Sequence, residues 1–189
     1  MEGWVIVAVI AGSGVGAVVV VVGTMALVGR RLPVAHSATV RAVIPAAPEA
    51  VWEALTDWRR MPEWRPELKR VEPLEDAAGR AGWVERSRHG RLPMVIETAE
   101  PPHLLVGRIV GDRLPFGGTW TYRLAPAAEG ATEIAITEDG EVYNPLFRFM
   151  ARFVFGHHAT MAAYLKSLGR RFGAEVAPER APGVLNAGG

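Results

Sequence analysis

The run from Trp4 to Val28 contains no charged side chain, and no other feature restricts the fold of this chain so strongly. As one helix its 25 residues would rise about 37 Å, more than the roughly 30 Å hydrocarbon core of a bilayer. Thirteen of them are Val, Ile or Leu. At about −0.3 to −0.6 kcal/mol each, these favour insertion by roughly 4–8 kcal/mol before the small residues offset part of it. A helix lying on a soluble domain keeps a polar face, and this run has none. The expectation is one transmembrane helix: residues 1–31 form an anchor in the cell membrane, and residues 4–28 contact the bilayer. Arg30 and Arg31 follow directly, while the tail before Trp4 has no basic side chain. The positive-inside rule then places the C-terminal domain in the cytoplasm.

Two rival readings of this segment are weaker. A cleaved signal peptide begins with a basic region and has an apolar run of roughly 7–15 residues. Here the start is Met1-Glu2-Gly3 and the run is longer, although Ala35-His36-Ser37 has the look of a cleavage site. Gly12-Ser13-Gly14-Val15-Gly16-Ala17 matches a dinucleotide-binding pattern, but Val18 to Val22 follows and no acid appears before Glu49. A true fingerprint opens an amphipathic helix and has an acid about 20 residues on. Small residues in a membrane helix explain the match better. Ala8, Gly12 and Gly16, spaced by four, would let a second helix approach closely, or are simply tolerated there.

Composition narrows the function. The net charge of +1 gives no basic field for a nucleic acid. With no cysteine there is no disulfide, no thiolate metal site and no cysteine nucleophile. Nothing calls for a metal or a cofactor.

Beyond the anchor, residues 32–38 read as a linker reaching at most about 24 Å. Residues 39–173 read as one domain and residues 174–189, rich in Ala, Gly and Pro, as a disordered tail. In the domain, Thr39–Ile44 alternates as a strand. Pro48-Glu49 opens a helix to about Asp57, and Trp58–Trp64 forms a second short one stopped by Pro66. Six strands are expected at Leu68–Pro73, Ala81–His89, Leu92–Ala99, Leu104–Val110, Gly118–Leu124 and Thr132–Val142. Short gaps make them antiparallel neighbours. From Pro145 to about Phe172 the period becomes helical, with Leu146, Met150, Phe153, His157, Met161, Tyr164, Leu168 and Phe172 on one stripe and Gly156 as a local weak point.

The segment Pro45-Ala46-Ala47-Pro48-Glu49-Ala50-Val51-Trp52-Glu53-Ala54-Leu55-Thr56-Asp57-Trp58, continued by Pro62-Glu63-Trp64 and Pro66, resembles the opening of START-like (SRPBCC) domains, the polyketide cyclase/dehydrase and lipid transport superfamily. Gly117–Leu124 and Gly130–Glu138 resemble its last two strands. The resemblance implies an α+β helix-grip fold, with a seven-stranded antiparallel sheet curved around a long C-terminal helix behind the transmembrane helix. It also implies a cavity between sheet and helix that takes a lipid or other hydrophobic small molecule.

Alternation nominates the lining: Trp83, Trp120, Tyr122, Ile134, Ile136, Phe153, His157 and Met161, with Arg108 as a polar member. The alternative is that these side chains fill a solid core. Glu85, Arg108 and Glu138 fall in phase with apolar neighbours, and inward-facing charges must pair. Arg108 with Glu85 or Glu138 is the simplest pairing. His157 and His158 point about 100° apart on a helix and do not suit one metal ion. A binding or transfer protein is the leading reading. One rival is a cyclase/dehydrase-type enzyme using His157 with Glu85 or Glu138 on an apolar, polyketide-like substrate. Another is a protein-interaction module with a vestigial cavity.

Overall fold

A computed structural model describes residues 2–74, 79–88, 90–111 and 114–182, with backbone alone for residues 2–15 and for Phe155. The chain forms two compact units: residues 1–34 with 142–156, and residues 35–141 with 157–189.

The first unit holds helix α1 (Glu2–Arg31) and helix α4 (Pro145–Met150), which pack together, and a single π-helical turn at Ala151–Phe155. Asn144 caps α4 by accepting from the backbone N–H groups of Leu146 (2.9 Å) and Phe147 (3.2 Å). The Arg148 guanidinium donates to the Leu32 carbonyl at 3.4 Å. α1 covers the whole uncharged run, yet among the described residues no helix is long and apolar enough to cross a membrane. The side chains of residues 2–15, Ala8 and Gly12 included, lie outside the described residues, and residues 16–31 alone rise only about 24 Å.

The second unit is a sheet with helices against it. In chain order it comprises β1 (Ala35–Ile44), α2 (Pro48–Thr56), a 3₁₀ turn (Trp58–Arg60), α3 (Met61–Trp64), β2 (Leu68–Pro73), β3 (Gly82–Ser87), β4 (Gly90–Glu100), β5 (Leu104–Ile109), β6 (Phe116–Pro126), β7 (Thr132–Val142), α5 (Ala159–Arg171) and β8 (Glu179–Ala181). The strand order is β2-β3-β4-β5-β6-β7-β1-β8. Pairing is antiparallel from β2 through β6, between β7 and β1, and between β1 and β8.

Why these segments form these elements is mostly periodicity. β1 buries Ala38, Val40, Ala42 and Ile44 on one face, and β7 buries Ile134 and Ile136 on the same side. α5 buries Met161, Tyr164, Leu165 and Leu168, the i, i+3, i+4, i+7 stripe of an amphipathic helix. α5 lies on β1 and against α3. Val51, Ala54 and Leu55 of α2 join the same core. Each fully buried Leu, Ile or Val contributes about 1.5–3 kcal/mol relative to exposure.

Four expectations require correction. The sheet has eight strands rather than seven, because Glu179–Ala181, read as tail, pairs with Thr39–Arg41 of β1. β1 starts at Ala35, inside the expected linker, because its pairing with β7 runs unbroken from Ala35↔Glu141 to Ile44↔Thr132. The ladder and not the side-chain pattern fixes that boundary. The long C-terminal helix is broken: Gly156 adopts φ 72°, ψ 148°, a conformation that a β-carbon disfavours strongly. α4 and α5 consequently fall in different units, and the eight-residue stripe does not form one face. Finally, Arg108 pairs with Glu97 on the exposed side of the sheet, not with Glu85 or Glu138. In Leu104-Leu105-Val106 consecutive apolar residues leave the phase of β5 undecided, and it is Leu105 that is buried.

Candidate functional site

The second unit has a partly open cavity of about 240 Å³ between the strands and α5. Trp83 and Glu85 of β3, Leu92 and Met94 of β4, Ile109 of β5, Phe116, Trp120 and Tyr122 of β6, Glu138 of β7, and Thr160 and Tyr164 of α5 line it, with Arg65 from the end of α3. A larger groove of about 500 Å³ lies around Arg41, Glu133, Glu175 and Glu179, but it is open to solvent. Its Arg41–Glu179 pair, 3.3 Å apart, is exposed and adds little.

The polar end of the cavity is built around Glu85. Two-residue alternation along β3 turns Glu85 to the same side as Trp83. Pro66 ends α3 and leaves Arg65 extended, where its guanidinium reaches Glu85 with two hydrogen bonds, Nη1 to Oε1 at 2.7 Å and Nη2 to Oε2 at 3.0 Å. Arg65 Nε donates to Glu67 at 2.8 Å, and the Trp83 indole N–H donates to Glu85 at 3.3 Å. The guanidinium also lies 4.9 Å from the Tyr164 ring centroid. Burial is the largest single influence on Arg65 and lowers its pKa, but the Glu85 charge, Tyr164 and the hydrogen bonds to Glu85 and Glu67 together outweigh it, and the guanidinium is held above its ordinary value.

Rings form the adjoining wall. Trp120, Tyr122 and Tyr164 have centroids 5.7–6.1 Å apart, and Trp64 meets Tyr164 edge-on at 5.3 Å. Burial pushes both phenols up, Tyr122 well above the ordinary tyrosine value. Both stay neutral hydroxyls, able to donate as well as accept.

Glu138 of β7 is the second carboxylate of the lining. Behind it His36 Nε2 lies 3.6 Å from its Oε1, and the His36 ring stacks on His157 at 3.8 Å between centroids, 27° from parallel. A β-carbon on Gly140 would stand 2.5 Å from His36 Cε1, so only glycine leaves room for that imidazole. His158 is held below its ordinary pKa by burial and then by Arg180, with Glu138 pulling the other way.

Of the residues nominated from sequence, Trp83, Trp120, Tyr122, Glu85 and Glu138 line the cavity. Ile134, Ile136 and Met161 do not; they are fully buried core. His157 lies in a turn before α5 and stacks on His36. Phe153 belongs to the other unit and is 57% exposed. Arg108 faces solvent. Sequence reasoning missed Arg65, Leu92, Met94, Ile109, Phe116, Thr160, Tyr164 and His36. The signal for Arg65 was indirect: an inward Glu85 demands a cation, and Arg65 is the arginine fixed by a following proline. Among the described residues no group of three or more metal-ligating side chains stands together.

An antiparallel sheet closed by a C-terminal helix over an apolar cavity defines the helix-grip, START-like class of domain. The chain belongs to the polyketide cyclase/dehydrase and lipid transport family, whose sequence model matches residues 35–173. Solved structures share the fold. Norcoclaurine synthase from Thalictrum flavum is 10% identical, with a TM-score of 0.58 over 75% of this chain and 96% of that one. A START superfamily protein from Mycobacterium smegmatis is 18% identical, with a TM-score of 0.56 over 74% and 97%. The protein XoxI from Bacillus cereus is 15% identical, with a TM-score of 0.56 over 72% and 94%. No curated protein matches the chain.

Proposed function

We propose that this protein is a membrane-anchored binding or transfer protein for a hydrophobic small molecule. The ring-lined cavity between the sheet and α5 carries the reading. Its volume of about 240 Å³ suits a single-ring or short-chain molecule. Trp83, Leu92, Met94, Ile109 and Phe116 supply apolar contact area, and the few polar groups supply orientation.

The anchor part of the proposal rests on α1. Its helix spans the uncharged run, and Val18 to Val22 are 43–67% exposed. Five consecutive exposed valines are costly in water and favourable in lipid. Arg30 and Arg31 close the helix and support a cytoplasmic domain. The full chain expressed in its host is expected to stay in the membrane pellet after a carbonate wash. Recovery in the wash supernatant would refute the anchor without touching the cavity.

The cyclase/dehydrase-type alternative through His157 would need that imidazole in the cavity, whose lining it does not join. Uptake of an environment-sensitive apolar probe, competed by single-ring compounds, tests the binding reading. Absence of any saturable uptake would overturn it.

A further inference from the structure

The charges of the cavity do not balance. Arg65 supplies one guanidinium against two carboxylates, Glu85 and Glu138, so the lining holds one negative charge in excess. The guanidinium is also committed to carboxylates. Its Nη1 and Nη2 donate to Glu85, its Nε donates to Glu67 and its Nη1 also lies 3.8 Å from the Met61 sulfur, so an incoming carboxylate or phosphate would have to compete with two glutamates for it. Glu138, by contrast, is poorly compensated. Among the described residues its one partner within ion-pairing distance is His36, at 3.6 Å, and the buried His36 Nε2 makes no hydrogen bond.

Trp120, Tyr122 and Tyr164 share the lining with this carboxylate, their centroids 5.7–6.1 Å apart. The faces of such rings carry partial negative charge and attract organic cations. The protein already uses that attraction here, since Arg65 lies against Tyr164.

We propose that the cavity selects an apolar monocation: a small amine or quaternary ammonium compound whose charged nitrogen lies between Glu138 and these three rings. Its hydrocarbon part rests on the aliphatic side chains of β4 and β5. The proposal rests on the reading of the cavity as a ligand site and narrows it to a charge class. An anion of equal size would meet the Glu138 charge with only the neutral hydroxyls of Tyr122, Tyr164 and Thr160 to offset it, and a neutral molecule would leave that charge without a counter-ion in a partly dry site.

The test uses the full chain in lipid nanodiscs and three ligands of one shape: cyclohexylammonium, cyclohexanol and cyclohexanecarboxylate. Binding is followed by saturation-transfer NMR and by tryptophan fluorescence, with empty nanodiscs as the blank. The ammonium compound is expected to bind at least about tenfold more tightly than the alcohol, with the carboxylate weakest. E138Q, checked for folding by circular dichroism, is expected to abolish the preference for the ammonium compound over the alcohol. Equal binding of ammonium compound and alcohol, or tightest binding of the carboxylate, overturns the charge selection while the cavity remains a ligand site. An E138Q protein that keeps the full preference overturns the role of Glu138. Binding of none of the three overturns both the selection and the cavity reading on which it rests.

Discussion

Removing the Glu85 carboxylate would leave the Arg65 guanidinium buried beside rings with its bidentate partner gone. Their side chains are 10% and 11% exposed, so solvent replaces little of that loss. Glu85→Gln is expected to cost about 3–5 kcal/mol of stability, read by urea denaturation. A change under about 1 kcal/mol would show that the pair is not structural. The buried phenols give a second test. Unfolded tyrosine ionises near pH 10, and burial raises Tyr122 and Tyr164 above that. Below about pH 10 their contribution to stability is complete. Above it the unfolded chain sheds these protons first, so stability falls as pH rises. Phenolate absorbance from these two residues is expected to appear only together with loss of the folded circular dichroism signal; ionisation of all three tyrosines in the folded protein would contradict this. At this scale the sequence was partly readable. Glu85 shows itself as inward through its phase with Trp83. Its partner does not, because 20 residues and a strand separate Arg65 from it and no periodic rule links them.

Elements were legible wherever one period held. β7 spans the residues that its alternation marks, and the α5 stripe is the 3.6-residue pattern of Met161, Tyr164 and Leu168. They were illegible where backbone geometry decided. The strand β8 is three residues inside an Ala- and Pro-rich segment, defined only by hydrogen bonds to β1. His36 was hidden for a related reason, since its stretch of β1 reads as linker and only the pairing with β7 makes it strand. The break before α5 depends on the positive φ of Gly156. Gly156→Ala is expected to destabilise the protein by about 1–3 kcal/mol, measured by thermal denaturation, because that conformation is close to glycine-only. An unchanged melting temperature would mean that the chain adopts another path there. Leu165→Ala is expected to cost about 2–5 kcal/mol, since Leu165 is wholly enclosed in the core.

For the whole molecule, two properties legible early in the sequence have different physical origins. The uncharged run is a matter of composition and needs no tertiary structure to be recognised. The cavity is a property of the tertiary fold, and alternation distinguished its lining from the solid core only in part: Trp120 and Tyr122 line it, whereas Ile134 and Ile136 close the packing beside it. Both side-chain sets obey the same two-residue rule, so their difference lies in where α5 rests and not in the pattern of the strands. The claim that this space holds a hydrophobic small molecule is tested most directly by native mass spectrometry of the full chain, purified from its own host in a mild detergent. A reproducible extra mass, consistent with one small apolar compound and lost when Trp120 is replaced by a charged residue, is the result this account predicts. A protein that is always observed at its bare chain mass, while its folded circular dichroism spectrum is intact, would contradict it.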